Sequence, residues 1–364
     1  MNLSKVISAI PPLDPEAMRE AEGRQAQLTK PAKSLGRLED IAVQVAGITG
    51  EAVPALGKKR VILCAGDHGI TVEGVSAYPS AVTPMMVLNF LKGGAAINAL
   101  ARQAGAEVLV VDAGVAAELP SNKKLVNAKI SKGTKNFKAG PAMTEGECAK
   151  ALELGIGLAG KAKRDKVKWA VLGEMGIGNT TSAAALMAAL LPCAVEDVTG
   201  FGTGIDRAQW SVKCRVIQEG LNLHKPSPAY PLQALQCLGG LEIAALAGVV
   251  LGCARNRIPV VVDGFITSAA FLAAYRMAPR VKDFAFFSHL SEEPGHAKFY
   301  EMLGVKPLLD LNMRLGEGTG GALALNILES ALRAHAEMAT FESAKVPTKI
   351  PRPKEARGAK GRRI

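Results

Sequence analysis

One carboxylate stands among four glycines in the stretch Met313-Arg314-Leu315-Gly316-Glu317-Gly318-Thr319-Gly320-Gly321-Ala322. Glycine gives the backbone freedom and lets a ligand come close to the main chain. The Ala/Leu-rich residues 322–334 predict a helix, so Glu317 falls at or just before a helix N-terminus. Beside apolar Met313 and Leu315, a carboxylate closing a cleft is suited to work as a general base. The plainer alternative is that Glu317 only caps the helix, where negative charge is favoured.

A second stretch points to phosphate. A strand over 167–172 runs into Gly173-Glu174-Met175-Gly176-Ile177-Gly178-Asn179-Thr180-Thr181-Ser182 and then an Ala-rich helix. Free backbone N–H groups at such a helix start bind phosphate, and hydroxyls add donors. The spacing is neither a Walker A loop nor a dinucleotide G-x-G-x-x-G. Asn179 or Thr180 could serve only as an N-cap, but Glu174 beside the turn favours a ligand. A further glycine loop, Thr199-Gly200-Phe201-Gly202-Thr203-Gly204, follows Glu196-Asp197. It imitates the acidic loop that binds phosphoribosyl pyrophosphate, although here the acids follow a helix and not an apolar strand. Lys213, about two turns into the next helix, could reach back to a phosphate as a point charge, or simply be solvated.

The elements that must position these residues alternate. Helices are expected over 15–28, from 35, and over 83–103, 144–161, 183–191 and 232–256, then to 277 and finally to 341. Strands are expected over 60–65, 107–112, 167–172, 258–263 and 284–289. Continuous apolar runs of this kind suit strands buried on both faces. The pattern predicts an α/β fold, a Rossmann-like parallel sheet with right-handed crossovers flanked by helices. A small helical domain built from the two terminal segments accompanies it. Gly66-Asp67-His68-Gly69, Asp112-Ala113-Gly114, Asp263-Gly264-Phe265 and Ser288-His289-Leu290-Ser291 all fall at strand C-termini, where ligands gather in open sheets. Asp67 and His68 are candidates by that location, or merely turn formers.

Composition narrows the classes. Apolar residues make up 48% and aromatics only 4% of 364 residues, which suits close helix-on-sheet packing. The net charge of +11 is concentrated: residues 345–364 hold eight Lys/Arg and one acid, a net of +7, and 11 less 7 leaves +4 for the rest. A basic, proline-bearing tail without a core pattern is expected to be disordered. It is the one segment through which RNA contact is conceivable. The body shows no basic stripe with interleaved aromatics. Six scattered cysteines, none spaced C-x-x-C, are expected as buried thiols in a reducing compartment, with no metal site. Neither a signal peptide nor an apolar run long enough to span a bilayer is evident, so a cytoplasmic protein is expected.

In combination the motifs resemble the nicotinate-nucleotide–dimethylbenzimidazole phosphoribosyltransferases. The match runs through Leu28-Thr29-Lys30-Pro31, Ser34-Leu35-Gly36-Arg37-Leu38-Glu39, Gly66-Asp67-His68-Gly69, Gly173 to Thr181, Asp263-Gly264-Phe265 and Arg314 to Gly320. It covers the chain to about residue 340, and the basic tail lies outside it. Lys33 stands where the family usually has glycine. The resemblance implies that nicotinate mononucleotide donates its phosphoribosyl group to a benzimidazole nitrogen, with inversion at the anomeric carbon and no cofactor. It implies Glu317 as general base and Glu174 as a second acid. It implies phosphate and ribose contacts at Gly176, Gly178, Asn179, Thr180, Gly202, Gly204 and Lys213. A flat apolar slot for the base is expected from Tyr78, Met86, Met175 and Leu315. The family is a homodimer whose sites are partly completed by the neighbour's small domain. The expected division is 1–30 and 331–344 for the small domain, 31–330 for the catalytic domain, and 345–364 for the tail. Two other readings remain: a metal-dependent transferase using phosphoribosyl pyrophosphate through Glu196-Asp197, and a non-enzymatic nucleotide- or RNA-binding protein.

Overall fold

The computed structural model describes residues 3–191 and 193–347. Most of the basic tail, 348–364, therefore lies outside the described residues. In chain order the elements are α1 (Leu3–Ser8), α2 (Pro15–Gln27), α3 (Arg37–Thr49), β1 (Lys58–Gly66), α4 (Val82–Lys92), α5 (Ala96–Gln103), β2 (Ala106–Gly114), β3 (Leu125–Asn127), α6 (Glu145–Arg164), β4 (Val167–Met175), α7 (Asn179–Leu190), α8 (Val195–Val198), α9 (Arg207–His224), α10 (Pro231–Leu238), α11 (Leu241–Arg255), β5 (Val260–Val262), α12 (Phe265–Met277), β6 (Ala285–Phe287), β7 (His289–Ser291), α13 (Pro294–Leu303), β8 (Leu309–Met313) and α14 (Thr319–Glu337).

The six strands β3-β2-β1-β4-β5-β6 form one all-parallel sheet in that order. β7 and β8 form a separate parallel pair. The strand order reverses between β1 and β4, so a crevice opens at their C-terminal ends. β1 is buried from Arg60 onward, as its apolar run requires, and it pairs Cys64 with Glu174 of β4. Helices cover both faces of the sheet. Small residues bring α6 and α11 into backbone contact: a Cβ at Gly155 or Gly248 would strike main-chain oxygens of the facing helix.

Local chemistry explains several boundaries. Asp14 caps α2, accepting from the Glu16 and Ala17 amides, with Pro15 at the first helical position. Thr144 and Glu147 form a reciprocal capping box on α6. The helix expected over 83–103 breaks into α4 and α5 because Gly93 takes φ +83 and ends the first. The one expected over 232–256 breaks at Gly239 and Gly240 into α10 and α11. The strand expected over 284–289 splits into β6, in the main sheet, and β7, outside it. β3, β8 and α1 were not foreseen, and the closing helix stops at Glu337, short of 341.

The end of α2, with the segment after it, meets the end of α14. Arg24 donates to the carbonyls of His335 and Ala336, Gln25 pairs with the His335 ring, and Leu28 bridges Thr340. Lys33 adopts φ +59, the left-handed backbone that glycine favours. The loop therefore keeps that geometry without the glycine, at a cost of about 1 kcal/mol. Among the described residues no helix is long and apolar enough to cross a membrane. All six cysteines are free, five buried and Cys193 half-buried.

Candidate active site

A cavity of about 480 Å³ opens over the ends of β4, β5, β7 and β8. Glu317, Glu174, Gly176, Asn179, Thr180, Gly202, Tyr78, Met86, Met175 and Leu315 all line it. Residues separated by more than 200 positions thus share one crevice. Gly178, Gly204 and Lys213 do not line it. A larger hollow of about 770 Å³ lies between α6 and α10, lined by aliphatic side chains together with Glu145, Glu153, Gln233 and Gln236, and none of the residues singled out from the sequence borders it.

Glu317 is 6% exposed and sits in a run of three left-handed residues, with φ +83, +63 and +92 at Gly316, Glu317 and Gly318. Its carboxylate accepts from the Ile97 amide at 3.2 Å, in the first turn of α5. Burial raises its pKa, and the Ile97 N–H partly opposes the rise. The capping of α14 that Glu317 could have performed falls to Asp263. Its carboxylate accepts from Gly318 N at 3.1 Å and Gly321 N at 2.8 Å. That leaves the Glu317 side chain free of its own helix.

Glu174 is 4% exposed, at the end of β4. It accepts from the Asn179 amide group and, at 3.4 Å, from the Glu317 backbone N–H. Burial, and then the charges of Asp263 and Glu242, push it up to about 8. Burial likewise pushes Asp263 up to about 7. These shifts have a signed consequence for folding. The native protein holds the Glu174 proton that the unfolded chain releases above its ordinary value of 4.5, so this group's stabilisation falls as pH rises from there to about 8, and no further beyond. Glu174→Gln is expected to flatten that part of the slope and to raise the melting temperature relative to wild type most at pH 8. Thermal melts of both proteins from pH 5 to 9 test this; parallel curves would contradict it.

The other end of the crevice joins the start of α7 to a buried lysine. α7 begins at Gly178, with φ +95 and no side-chain cap, so neither Asn179 nor Thr180 serves as the N-cap. Gly176 is required by packing: a Cβ there would strike the Gly66 carbonyl. Lys213 is 1% exposed rather than solvated, and stands just behind the loop. Its ammonium donates to Thr180 Oγ1 at 2.9 Å and Gly200 O at 3.2 Å. Desolvation lowers its pKa to about 8, with the Glu293 charge opposing. A Cβ at Gly202 would sit 2.9 Å from Thr180 Oγ1 and 3.3 Å from Lys213 Nζ, so glycine gives the ammonium access to the loop. Gly204 turns the chain at φ +102 with open space around it.

The base wall is half open. Met86 and Met175 are partly buried, whereas Tyr78 and Leu315 are 54% and 56% exposed at the mouth. His289 and Ser291, from the cluster expected at a strand C-terminus, line it too, whereas Thr267 in the first turn of α12 and Glu293 were missed from the sequence. Glu293 accepts from Gly202 N at 2.9 Å. Its signal was Glu-Pro at a helix start. Burial lowers His289 to about 4, so its imidazole is neutral at pH 7. Glu196 and Asp197 lie exposed on α8, away from the cavity, and so do not form the acidic loop of a pyrophosphate site. Asp67 and His68 are buried behind the crevice and do not line it.

A phosphoribosyltransferase family model matches residues 10–346. The nicotinate-nucleotide–dimethylbenzimidazole phosphoribosyltransferase of Geobacter sulfurreducens is 51% identical over 344 residues, spanning 94% of this chain and 98% of its own. The enzyme of the same name from Chloroflexus aggregans is 51% identical over 347 residues, spanning 95% and 98%. The solved structure of CobT from Thermus thermophilus superposes with a TM-score of 0.88 at 45% identity, covering 92% of this chain and all of that one.

Proposed function

The chain belongs to the nicotinate-nucleotide–dimethylbenzimidazole phosphoribosyltransferases, and from that premise we infer that the crevice beside Glu317 is where the transfer takes place. The enzyme moves the phosphoribosyl group of nicotinate mononucleotide to 5,6-dimethylbenzimidazole or a related base. The products are α-ribazole 5'-phosphate, inverted at the anomeric carbon, and nicotinate. The ribosyl C–N bond breaks with its electron pair passing to the pyridinium nitrogen. Nicotinate therefore leaves as a neutral ring and needs no proton. The lone pair of the unprotonated benzimidazole nitrogen forms the new bond, and the proton on the other ring nitrogen must go to a base.

In this reading Glu317 takes that proton. What supports it is one observation: its buried carboxyl, with raised pKa, borders the same 480 Å³ cavity as the α7 turn. A carboxylate whose proton affinity burial has raised is a better proton acceptor than a solvated one. Glu174, pushed up to about 8, stays protonated at pH 7 and so adds no second negative charge beside the base. Its contact with the Glu317 backbone N–H helps fix the loop. The phosphate lies against Gly176, Asn179, Thr180 and Gly202, with Gly178 and Gly204 shaping the two turns and Lys213, behind Thr180, as counter-charge. Tyr78, Met86, Met175 and Leu315 hold the aromatic base.

The working unit in this reading is a homodimer. The solvent-open Tyr78 and Leu315 at the mouth suit closure by a neighbour's small domain, residues 1–30 with 331–344. A monomer in sedimentation under assay conditions would end that part. Unpaired thiols suit a cytoplasmic location, which cell fractionation checks.

The test is a panel of bases offered with nicotinate mononucleotide, with products identified by mass spectrometry. Benzimidazoles are expected to give a ribosyl-phosphate adduct with stoichiometric nicotinate release. No nicotinate release with any benzimidazole, or EDTA-sensitive product formed from phosphoribosyl pyrophosphate, would overturn the reading.

A further inference from the structure

The motif Gly66-Asp67-His68-Gly69 is not used by the transfer as described, yet its histidine is 2% exposed directly behind the crevice. The His68 Nε2 lies 2.6 Å from Glu242 Oε1 and its Nδ1 lies 3.0 Å from Ser182 Oγ. Glu242, in the first turn of α11, is fully buried, and its other oxygen has no hydrogen-bond partner. The backbone is shaped around this pair. A Cβ at Gly66 would come 2.8 Å from Glu242 Oε2, one at Gly240 would come 2.6 Å from the same oxygen, and one at Gly240 would also strike the imidazole. Gly176, in the turn leading to α7, packs 3.4 Å from the ring by the same measure.

From the ring, contacts lead to the active carboxylates. Ser182 lies one turn along α7 from Asn179, and Asn179 donates to Glu174. The groups facing Glu174 are Asp263 after β5, Glu242 on α11, Glu317 before α14 and the neutral Asn179 on α7. Among the described residues no lysine or arginine forms an ion pair with any of these four carboxyls; the recorded partners are His68 for Glu242 and His289, at 3.9 Å, for Asp263. Four acids buried together cannot all stay ionised in a medium of low polarity. The partners of the four acids differ: two backbone amides for Asp263, the Ile97 amide for Glu317, His68 for Glu242, and for Glu174 the Asn179 side-chain amide with a 3.4 Å contact from the Glu317 backbone N–H.

We propose that His68 and Glu242 are positioning residues for the transfer: a buried pair that fixes the α7 turn and, by placing a carboxyl behind Glu174, favours Glu317 over Glu174 as the acceptor. The proposal rests on the roles given above to Glu317 and Glu174. It divides four similar acids by their partners, so that one remains neutral beside the one that reacts.

The test compares the pH dependence of kcat in wild type, Glu174→Gln, Glu242→Gln and Ser182→Ala. Glu242→Gln keeps the shape and hydrogen-bonding reach but removes a charge that raises Glu174. The alkaline limb is expected to move to lower pH by about one unit, with kcat at pH 8 down about fivefold and approaching tenfold at higher pH. Ser182→Ala, which changes no charge, is expected to lower kcat without moving the limb. A Glu242→Gln enzyme that loses thermal stability but keeps the limb in place has only a structural pair, which overturns the proposal. If Glu242→Gln does not fold, Ser182→Ala decides: wild-type kcat in that variant overturns the tether from His68 to α7. If Glu174→Gln itself leaves the limb unchanged, the role of Glu174 fails first, and the two failures are told apart.

Discussion

Glu317→Gln is expected to lower kcat by about two to four orders of magnitude, the range that a positioned acid–base group supplies. The substitution is nearly isosteric. The glutamine carbonyl can still accept from the Ile97 amide at the position now occupied by Oε2. What the variant loses is the ability to take the benzimidazole proton. The Michaelis constants for both substrates should change little, because no ground-state contact of known importance is removed. Nicotinate release, measured at saturating base, gives the number directly. Rates within a few-fold of wild type, in a protein with an unchanged melting temperature, would remove Glu317 from the mechanism.

Lys213→Met should affect the other end of the reaction. It removes a charge-assisted contact worth about 1.5–3 kcal/mol, so KM for nicotinate mononucleotide should rise about 10- to 100-fold, with KM for the base unchanged. There is also a pH signature. In the empty enzyme the ammonium titrates at about 8, so raising the pH through that value removes the charge and weakens phosphate binding. Bound phosphate favours the charged form and moves the loss to higher pH. Lys213→Met should have a flat profile of KM across that range. A KM within twofold of wild type would place the phosphate elsewhere in the crevice, for example at the α12 N-terminus near Thr267.

The sequence shows the parts of this site more clearly than their assignments. β1 and β4 were legible because a strand buried on both faces needs a continuous apolar run, and both carry one, at 61–65 and 169–172. The α7 turn was legible because a strand, a glycine turn and a polar helix start are all local features. Short edge elements were not: three residues of β3 carry no periodicity. The splits at Gly93 and Gly239 hid inside helical composition, where one glycine costs only about 1 kcal/mol and does not by itself require a break. The burial of Lys213 depends on a loop 10 or more residues earlier folding back over it, so nothing at position 213 announces it. The division between Asp263 and Glu317 was likewise hidden. Both precede glycines near a helix start, and only the spatial approach of β5 to α14 decides that Asp263 is the cap. His68 and Glu242 lie 174 positions apart, and a glutamate in the first turn of a helix looks ordinary.

The left-handed backbone at 317 bears on what natural variation at this position can mean. An L-residue there spends about 1 kcal/mol of folding free energy that glycine would save, and the loop is pressed so closely on β4 that a Cβ at Gly173 would meet the Glu317 carbonyl at 2.6 Å. Under the role proposed for Glu317, a lineage released from the need for this reaction would drift toward glycine at 317 and gain robustness by it, whereas a working enzyme would keep the costlier residue. Thermal robustness and turnover are therefore opposed at this one position, and a search for hardier variants that ignores activity would converge on an inert protein.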